Sequence, residues 1–355
     1  MIGSSQFWEC EREAPLLNRN ANFFTPESAD ELLQRAQRLM LLLEERHGKD
    51  AIEQLEIKPN CDDEAAKRIF LLDAERTFKS QECRQKLVEV LSSLWPELLD
   101  YHQGLGFVAS FLLLLLPAED VLRLCVGLHR LYVQGYFKAA PVAYVRDARV
   151  MQKLVDERMP RLGVHLKELA CAEAYASKWF VGLNVHVLTF EALFDFFEAL
   201  LETGDVFLFQ FAIALLQNCE EELLASANAA EALEILRLDA ARYTNKHKAK
   251  DNEQDGSFFL KIVNDAKAVQ IDEQHIQLLR EEALEDLRLE EERRKQRDKE
   301  LGLDSDDSIV FSDEEEEEEE SKGSSEEEKP MVEKGKGEKS KPLNDSSVEK
   351  RECAE

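Results

Sequence analysis

Residues 101–117 read YHQGLGFVASFLLLLLP. A polar, glycine-bearing mouth (Tyr101, His102, Gln103, Gly104, Gly106) opens onto residues 107–116, whose only polar member is Ser110, and Pro117 closes the run. A run this short cannot span a bilayer as a helix, which takes about 20 apolar residues. It shows no apolar–polar alternation, the mark of a half-buried strand. The run therefore reads as a helix enclosed by other helices.

The chain on either side agrees. Helical spacing marks 64–80, 83–95, 118–134, 147–159, 164–181, 189–202, 205–217 and 227–238, with 103–116 as the apolar helix itself. Pro96, Pro117, Pro141, Pro160 and Gly204 punctuate these segments. Upstream, Thr25 caps a helix with Pro26 at its first position, and Ser28 with Glu31 forms a capping-box pattern. Leu32, Leu33, Leu39, Leu42 and Leu43 follow at helical spacing, and Gly48 stands where a terminating glycine is expected. Strand alternation is missing and no fixed-period repeat is visible. The expected fold class is all-α, with one helical domain over residues 25–242 behind an N-terminal segment, 1–24.

Composition narrows the function classes. The 355 residues hold 45 Lys+Arg against 73 Asp+Glu, a net charge of −28, which argues against nucleic acid and anionic lipid as partners. Seven scattered cysteines without a C-x-x-C pair suggest neither a disulfide framework nor a zinc module, and point to a reducing compartment. His129, His165 and His186 lie on separate segments without metal-ligand spacing. The start lacks a basic-then-apolar leader, so the expectation is a soluble, cytoplasmic protein with no direct membrane insertion.

Two stretches stand out chemically. In the first, Phe70-Leu71-Leu72-Asp73-Ala74-Glu75-Arg76-Thr77-Phe78, Asp73 and Arg76 lie at i and i+3 on one helix face, where a carboxylate can hold a guanidinium in one orientation. By itself this is also how an ordinary surface ion pair looks. In the second, Tyr101-His102-Gln103-Gly104, a glutamine at the mouth of a buried helix can project its amide at a ligand past a glycine, or simply cap the helix. Together, 27 residues apart from Arg76 to Gln103, they resemble the TBC domain of Rab GTPase-activating proteins. That family carries an I-x-x-D-x-x-R motif, usually followed by Thr-Phe, and then Y-x-Q-G opening an apolar helix. Tyr175 to Phe180 (YASKWF) is similar to the family's tryptophan-phenylalanine helix, and residues 190–216 to its late helical pair. The chain departs from the pattern at Phe70 (for Ile), Lys79 (for Pro), Asp100 (for Gly) and Phe197-Glu198 (for Trp-Asp). The family's opening R-x-x-x-W has no match, since neither Trp8 nor Trp95 has Arg four residues earlier.

The resemblance implies a GTPase activator rather than an enzyme with its own substrate. Arg76 would be an arginine finger and Gln103 a glutamine finger, completing the active site of a GTP-loaded Rab in trans. Asp73 would orient Arg76, while Tyr101 and Gly104 would shape the turn that presents Gln103. GTP and Mg²⁺ would belong to the partner, with no cofactor or metal in this chain. The protein would be peripheral to endomembranes through the Rab and would regulate vesicle trafficking. The alternative is a non-catalytic Rab-binding adaptor on the same fold. His102, in the variable motif position, is expected to be exposed and without a catalytic role, and Trp179 and Phe180 to pack in the core.

The C-terminal third is polar. Residues 243–271 read as a linker, and 272–300 as a charged helix with a thin stripe of Ile276, Leu279, Leu284, Leu287 and Leu289, a weak coiled coil or solvated extension, with a partner-binding helix as the alternative. Residues 301–355 carry a net −12, including Asp313 and Glu314 to Glu320, and are expected to be a disordered acidic tail and a candidate binding site for further proteins. Acidic residues follow Ser305, Ser308 and Ser312, a pattern favoured by acid-directed kinases.

Overall fold

The computed structural model describes residues 29–49, 61–238 and 257–301, and every regular element among them is a helix. The order is α1 (Ala29–His47), α2 (Glu64–Thr77), α3 (Gln81–Leu98), α4 (Gln103–Leu113), α5 (Ala118–Leu131), α6 (Val142–Arg158), α7 (Pro160–Leu169), the single turns α8 (Ala172–Tyr175) and α9 (Ser177–Phe180), α10 (Phe190–Thr203), α11 (Val206–Ala225), α12 (Ala229–Leu236), α13 (Ser257–Ala268) and α14 (Glu273–Leu301). The start signals at Thr25, Pro26 and Ser28 and the acidic tail lie outside the described residues.

The apolar run is the centre of the fold. Residues 108–116 are all buried, and Phe111 packs against Phe190, Phe194 and Phe197 of α10 at 5.2–6.0 Å between ring centres. The helix ends at Leu113, three residues short of the expected 116. Pro117 disfavours helical geometry at the residue before it, and the chain tightens into i→i+3 bonds, Leu114 N–H to Phe111 O and Leu115 N–H to Leu112 O. Arg35 of α1 also anchors to α10, donating to Glu198 Oε1 at 2.9 Å and Asp195 Oδ1 at 2.5 Å. α1 ends as expected at Gly48, whose φ of +80° an L side chain resists.

The expected helix 164–181 is three pieces. Helix α7 starts earlier, at Pro160, a favoured first position. Ala170 is extended (φ −158°, ψ 151°), and the break turns Tyr175, Trp179 and Phe180 all inward. Trp179 and Phe180 are core residues as expected, and Trp179 Nε1 donates to Leu236 O at 3.2 Å.

Two expectations for the C-terminal region are corrected. Residues 257–268, placed in the linker 243–271, form α13. Phe259, Ile262, Val263 and Ala266 recur at i, i+3, i+4 and i+7 and are buried against α10 and α11. Nor does α14 extend freely into solvent. Ile276, Leu279 and Ala283 are buried, and Arg280 pairs with Asp147 of α6 and Asp205 beside α11. Further along, Arg149 of α6 bonds Glu290 in a two-pronged pair.

Candidate functional site

Helix α2 carries the first motif. Asp63 caps it, accepting from the N–H groups of Ala65 and Ala66 at 2.8 and 3.0 Å. Its inward stripe is Ala66, Phe70, Asp73, Ala74 and Thr77. Phe70 is fully buried, so the replacement of the family's isoleucine is a core substitution. The buried Thr77 hydroxyl donates back to Asp73 O at 2.6 Å.

The second motif meets this stripe from α4. Helix α3 ends at Leu99 in the left-handed region (φ 51°), which turns the chain towards α4. Tyr101 Oη then donates to Asp73 Oδ2 at 2.7 Å, and Gln103 Nε2 donates to Asp73 Oδ1 at 3.4 Å. The Tyr101 ring stands edge-on to Phe70, with centres 5.0 Å apart. Thus one turn of α2 holds both ends of Tyr101. Burial, followed by the Asp73 charge and hydrogen bond, pushes the Tyr101 phenol well above its usual range, so it remains a proton donor at neutral pH. The Gln103 bond is long and therefore weak, which leaves the amide held but readily redirected.

Glycines make this approach feasible. A Cβ on Gly104 would lie 2.8 Å from the Val181 carbonyl oxygen and from Val181 Cγ1, so the first turn of α4 sits directly against the backbone beyond α9. A Cβ on Gly106 would lie 2.4 Å from Tyr101 Oη, in the space the Tyr101–Asp73 bond needs. In the sequence, Gly106 stands in the mouth of the apolar helix with no role assigned to it. Its signal was there, since a second glycine in the first turn of a helix costs about 1 kcal/mol of helix propensity and calls for a reason. His102 corrects an expectation. It is half-buried and caps α4, its Nδ1 accepting the Gly104 N–H at 3.0 Å. A polar ring beside orphan N–H groups is a better partner for them than water at a packed helix start.

Arg76 lies one turn beyond Asp73 and is exposed. The Asp73 carboxylate serves Tyr101 and Gln103 rather than Arg76, and among the described residues no acceptor lies within bonding distance of the Arg76 guanidinium. The structure therefore brings Asp73, Tyr101, Gln103 and Gly104 together. Arg76 sits beside them on the same helix, facing solvent.

Against this geometry, a model of the Rab-GTPase-TBC domain family matches residues 33–224, more than half of the chain. The chain belongs to the Rab-GTPase-TBC domain family. It is 30% identical over 195 residues to mouse (Mus musculus) Small G protein signaling modulator 3, covering 51% of this chain and 26% of that protein. It is also 30% identical over 141 residues to the GTPase activating protein Gyp51 of Schizosaccharomyces pombe, covering 39% of this chain and 14% of the relative. The chain thus spans about a quarter or less of the length of these relatives. Among solved structures, a Chlamydomonas flagellar RabGAP TBC domain aligns at a TM-score of 0.47 and 18% identity, covering 76% of this chain and 84% of that one.

Within this TBC domain the departures from the family pattern have local uses. Phe197 stacks on Phe111 with ring centres 5.5 Å apart, and Glu198 anchors Arg35 of α1. Among the described residues, no His, Cys, Asp and Glu side chains group to hold a metal ion, and no helix is long and apolar enough to cross a membrane.

Proposed function

We propose that this chain is a GTPase activator for a Rab-family small GTPase in its GTP state, with Arg76 as arginine finger and Gln103 as glutamine finger. The observation that carries this reading is the Asp73 junction. One buried carboxylate ties the start of α4 to α2, so Gln103 and Arg76 issue from two elements locked at a shared point.

Phosphoryl transfer from GTP to water needs charge neutralised between the β- and γ-phosphates and a water aligned for attack. A guanidinium meets the first need, because its planar fork donates to phosphate oxygens in fixed geometry. An arginine finger is worth on the order of 10³–10⁵ in rate. The Gln103 amide meets the second, accepting from the water through its carbonyl while its NH₂ remains on Asp73. Asp73, Tyr101 and Gly104 position Gln103. Asp73 acts on Arg76 only through the helix they share. GTP and Mg²⁺ are the partner's. This chain turns over no substrate of its own and would act on Rab-bearing endomembranes in vesicle trafficking.

The test is phosphate release from a panel of GTP-loaded Rabs with the wild-type chain, Arg76→Ala and Gln103→Ala. The expected result is stimulation of at least one Rab that each substitution abolishes. A chain that binds a Rab without stimulating it is an adaptor, and stimulation that survives both substitutions removes these residues from the mechanism.

A further inference from the structure

Three of the ten large apolar side chains exposed among the described residues, Ile69, Leu71 and Leu72, fall within four residues of α2. A fourth, Leu99, is 73% exposed in the turn that leads to Gln103. Isolated surface leucines need no explanation, but a cluster on one element does. The fold does not require this one, because α2 already buries Phe70, Ala66 and Ala74 on its opposite side.

The spacing gives the cluster direction. Ala65, Ile69, Leu72 and Arg76 are separated by four, three and four residues, so they form one continuous stripe of α2. Ile69 is 47% exposed and Leu72 is 44% exposed, and the stripe ends on the exposed Arg76. At a rise of about 1.5 Å per residue, Leu72 stands roughly 6 Å and Ile69 roughly 10 Å back along the axis from Arg76.

We infer that Ile69 and Leu72 form the apolar docking strip for the same GTP-loaded Rab whose phosphates Arg76 reaches. The inference rests on the activator reading of Arg76. A guanidinium placed in a partner's nucleotide site brings that partner against α2. A stable interface covers about 800 Å² on each side, so residues within about 10 Å of the finger fall under the partner. The centre of such an interface is apolar and its rim polar. The strip matches the centre, and the exposed Arg68 and Glu75 beside it match the rim. The occupant is therefore an aliphatic or aromatic patch on the Rab, one to two helical turns from its terminal phosphate. The strip binds the partner and takes no part in phosphoryl transfer.

The experiment uses the full chain and two readouts: kcat and KM for stimulated hydrolysis, and binding to Rabs loaded with a non-hydrolysable GTP analogue. The variants are Ile69→Gln/Leu72→Gln, Leu72→Gln alone and Arg76→Ala, with Leu41→Gln as an exposed-leucine control on α1. Glutamine keeps helix propensity, so melting temperatures should match the wild type; should the double variant melt early, Leu72→Gln decides. The double variant should raise KM and weaken binding about tenfold or more, with kcat within about threefold of wild type. Arg76→Ala should do the reverse, and Leu41→Gln should change neither. Unchanged KM and binding in the double variant, beside a wild type that stimulates hydrolysis, overturns the strip and leaves the activator reading standing. Binding without stimulation, weakened by the double variant, supports the strip and overturns the finger assignment. A chain that neither binds nor stimulates any Rab overturns both.

Discussion

Two buried aspartates in this chain accept a tyrosine hydroxyl, and they differ in what they do with arginine. Asp147 accepts from Tyr136 Oη at 2.6 Å and is clamped by Arg280 at 2.8–3.0 Å and by Arg146 at 2.6–2.9 Å. Burial alone would raise its carboxyl, but hydrogen bonds and charge from the two guanidiniums outweigh that and hold it below the usual range. Asp73 accepts from Tyr101 Oη at 2.7 Å and takes an amide, while the arginine one turn away faces solvent. At Asp147, Arg280 closes a joint between α6 and α14, and Arg146 adds a second guanidinium from α6 itself. At Asp73 the carboxylate organises a glutamine and keeps out of the guanidinium's way. The same residue pairing serves architecture in one place and an accessible site in the other.

The contrast can be broken in several ways. Asp147→Asn should cost the most stability, roughly 3–5 kcal/mol, because it strips charge from a buried pair. Thermal unfolding checks this, and stimulation of a Rab below the melting temperature should persist. The same joint has an acid signature. A carboxyl with a lowered folded pKa contributes its stability in full above the unfolded value, near 3.9, and loses it as pH falls through the folded value. In acid titrations the wild type should therefore lose stability relative to Asp147→Asn only below about pH 4.

Asp73→Asn should show the opposite balance. A misplaced Gln103 should lower stimulated hydrolysis on the order of 10²-fold, with a smaller effect on melting. Equal losses of stability at both aspartates, with activity spared at Asp73, would erase the distinction. Gly104→Ala forces a Cβ onto the Val181 carbonyl and should cost about 1–3 kcal/mol, read by thermal unfolding. Tyr101→Phe removes one donor from Asp73 and should cost about 1 kcal/mol, with activity falling less than in Asp73→Asn.

Much of this was legible in the sequence. The apolar run 107–116, the burial of Trp179 and Phe180, and the glycine at the end of α1 all follow from local pattern. The bonds of Asp73 to Tyr101 and Gln103 were not legible, because nothing local in α2 says which element its polar face meets; the resemblance assigns Asp73 to Arg76, and the structure corrects that. The Asp147–Arg280 joint was not legible, since its partners lie 133 residues apart and a charged helix reads as solvated until a buried counter-charge is seen. Helix α13 was missed for another reason. Its apolar stripe is readable, but it directly follows the charged stretch 244–256, which drew the linker too far. The roles of His102 and Gly106 depend on distances of 2.4–3.0 Å that no sequence pattern encodes.

The account turns on Arg76. The most direct measurement is single-turnover GTP hydrolysis on a Rab that the wild-type chain stimulates, with Arg76→Lys and Arg76→Ala compared at matched melting temperature. Lysine keeps the charge but lacks the planar fork, so the account predicts that both variants lose stimulation by about 10³-fold or more. Wild-type stimulation retained by Arg76→Ala would contradict it.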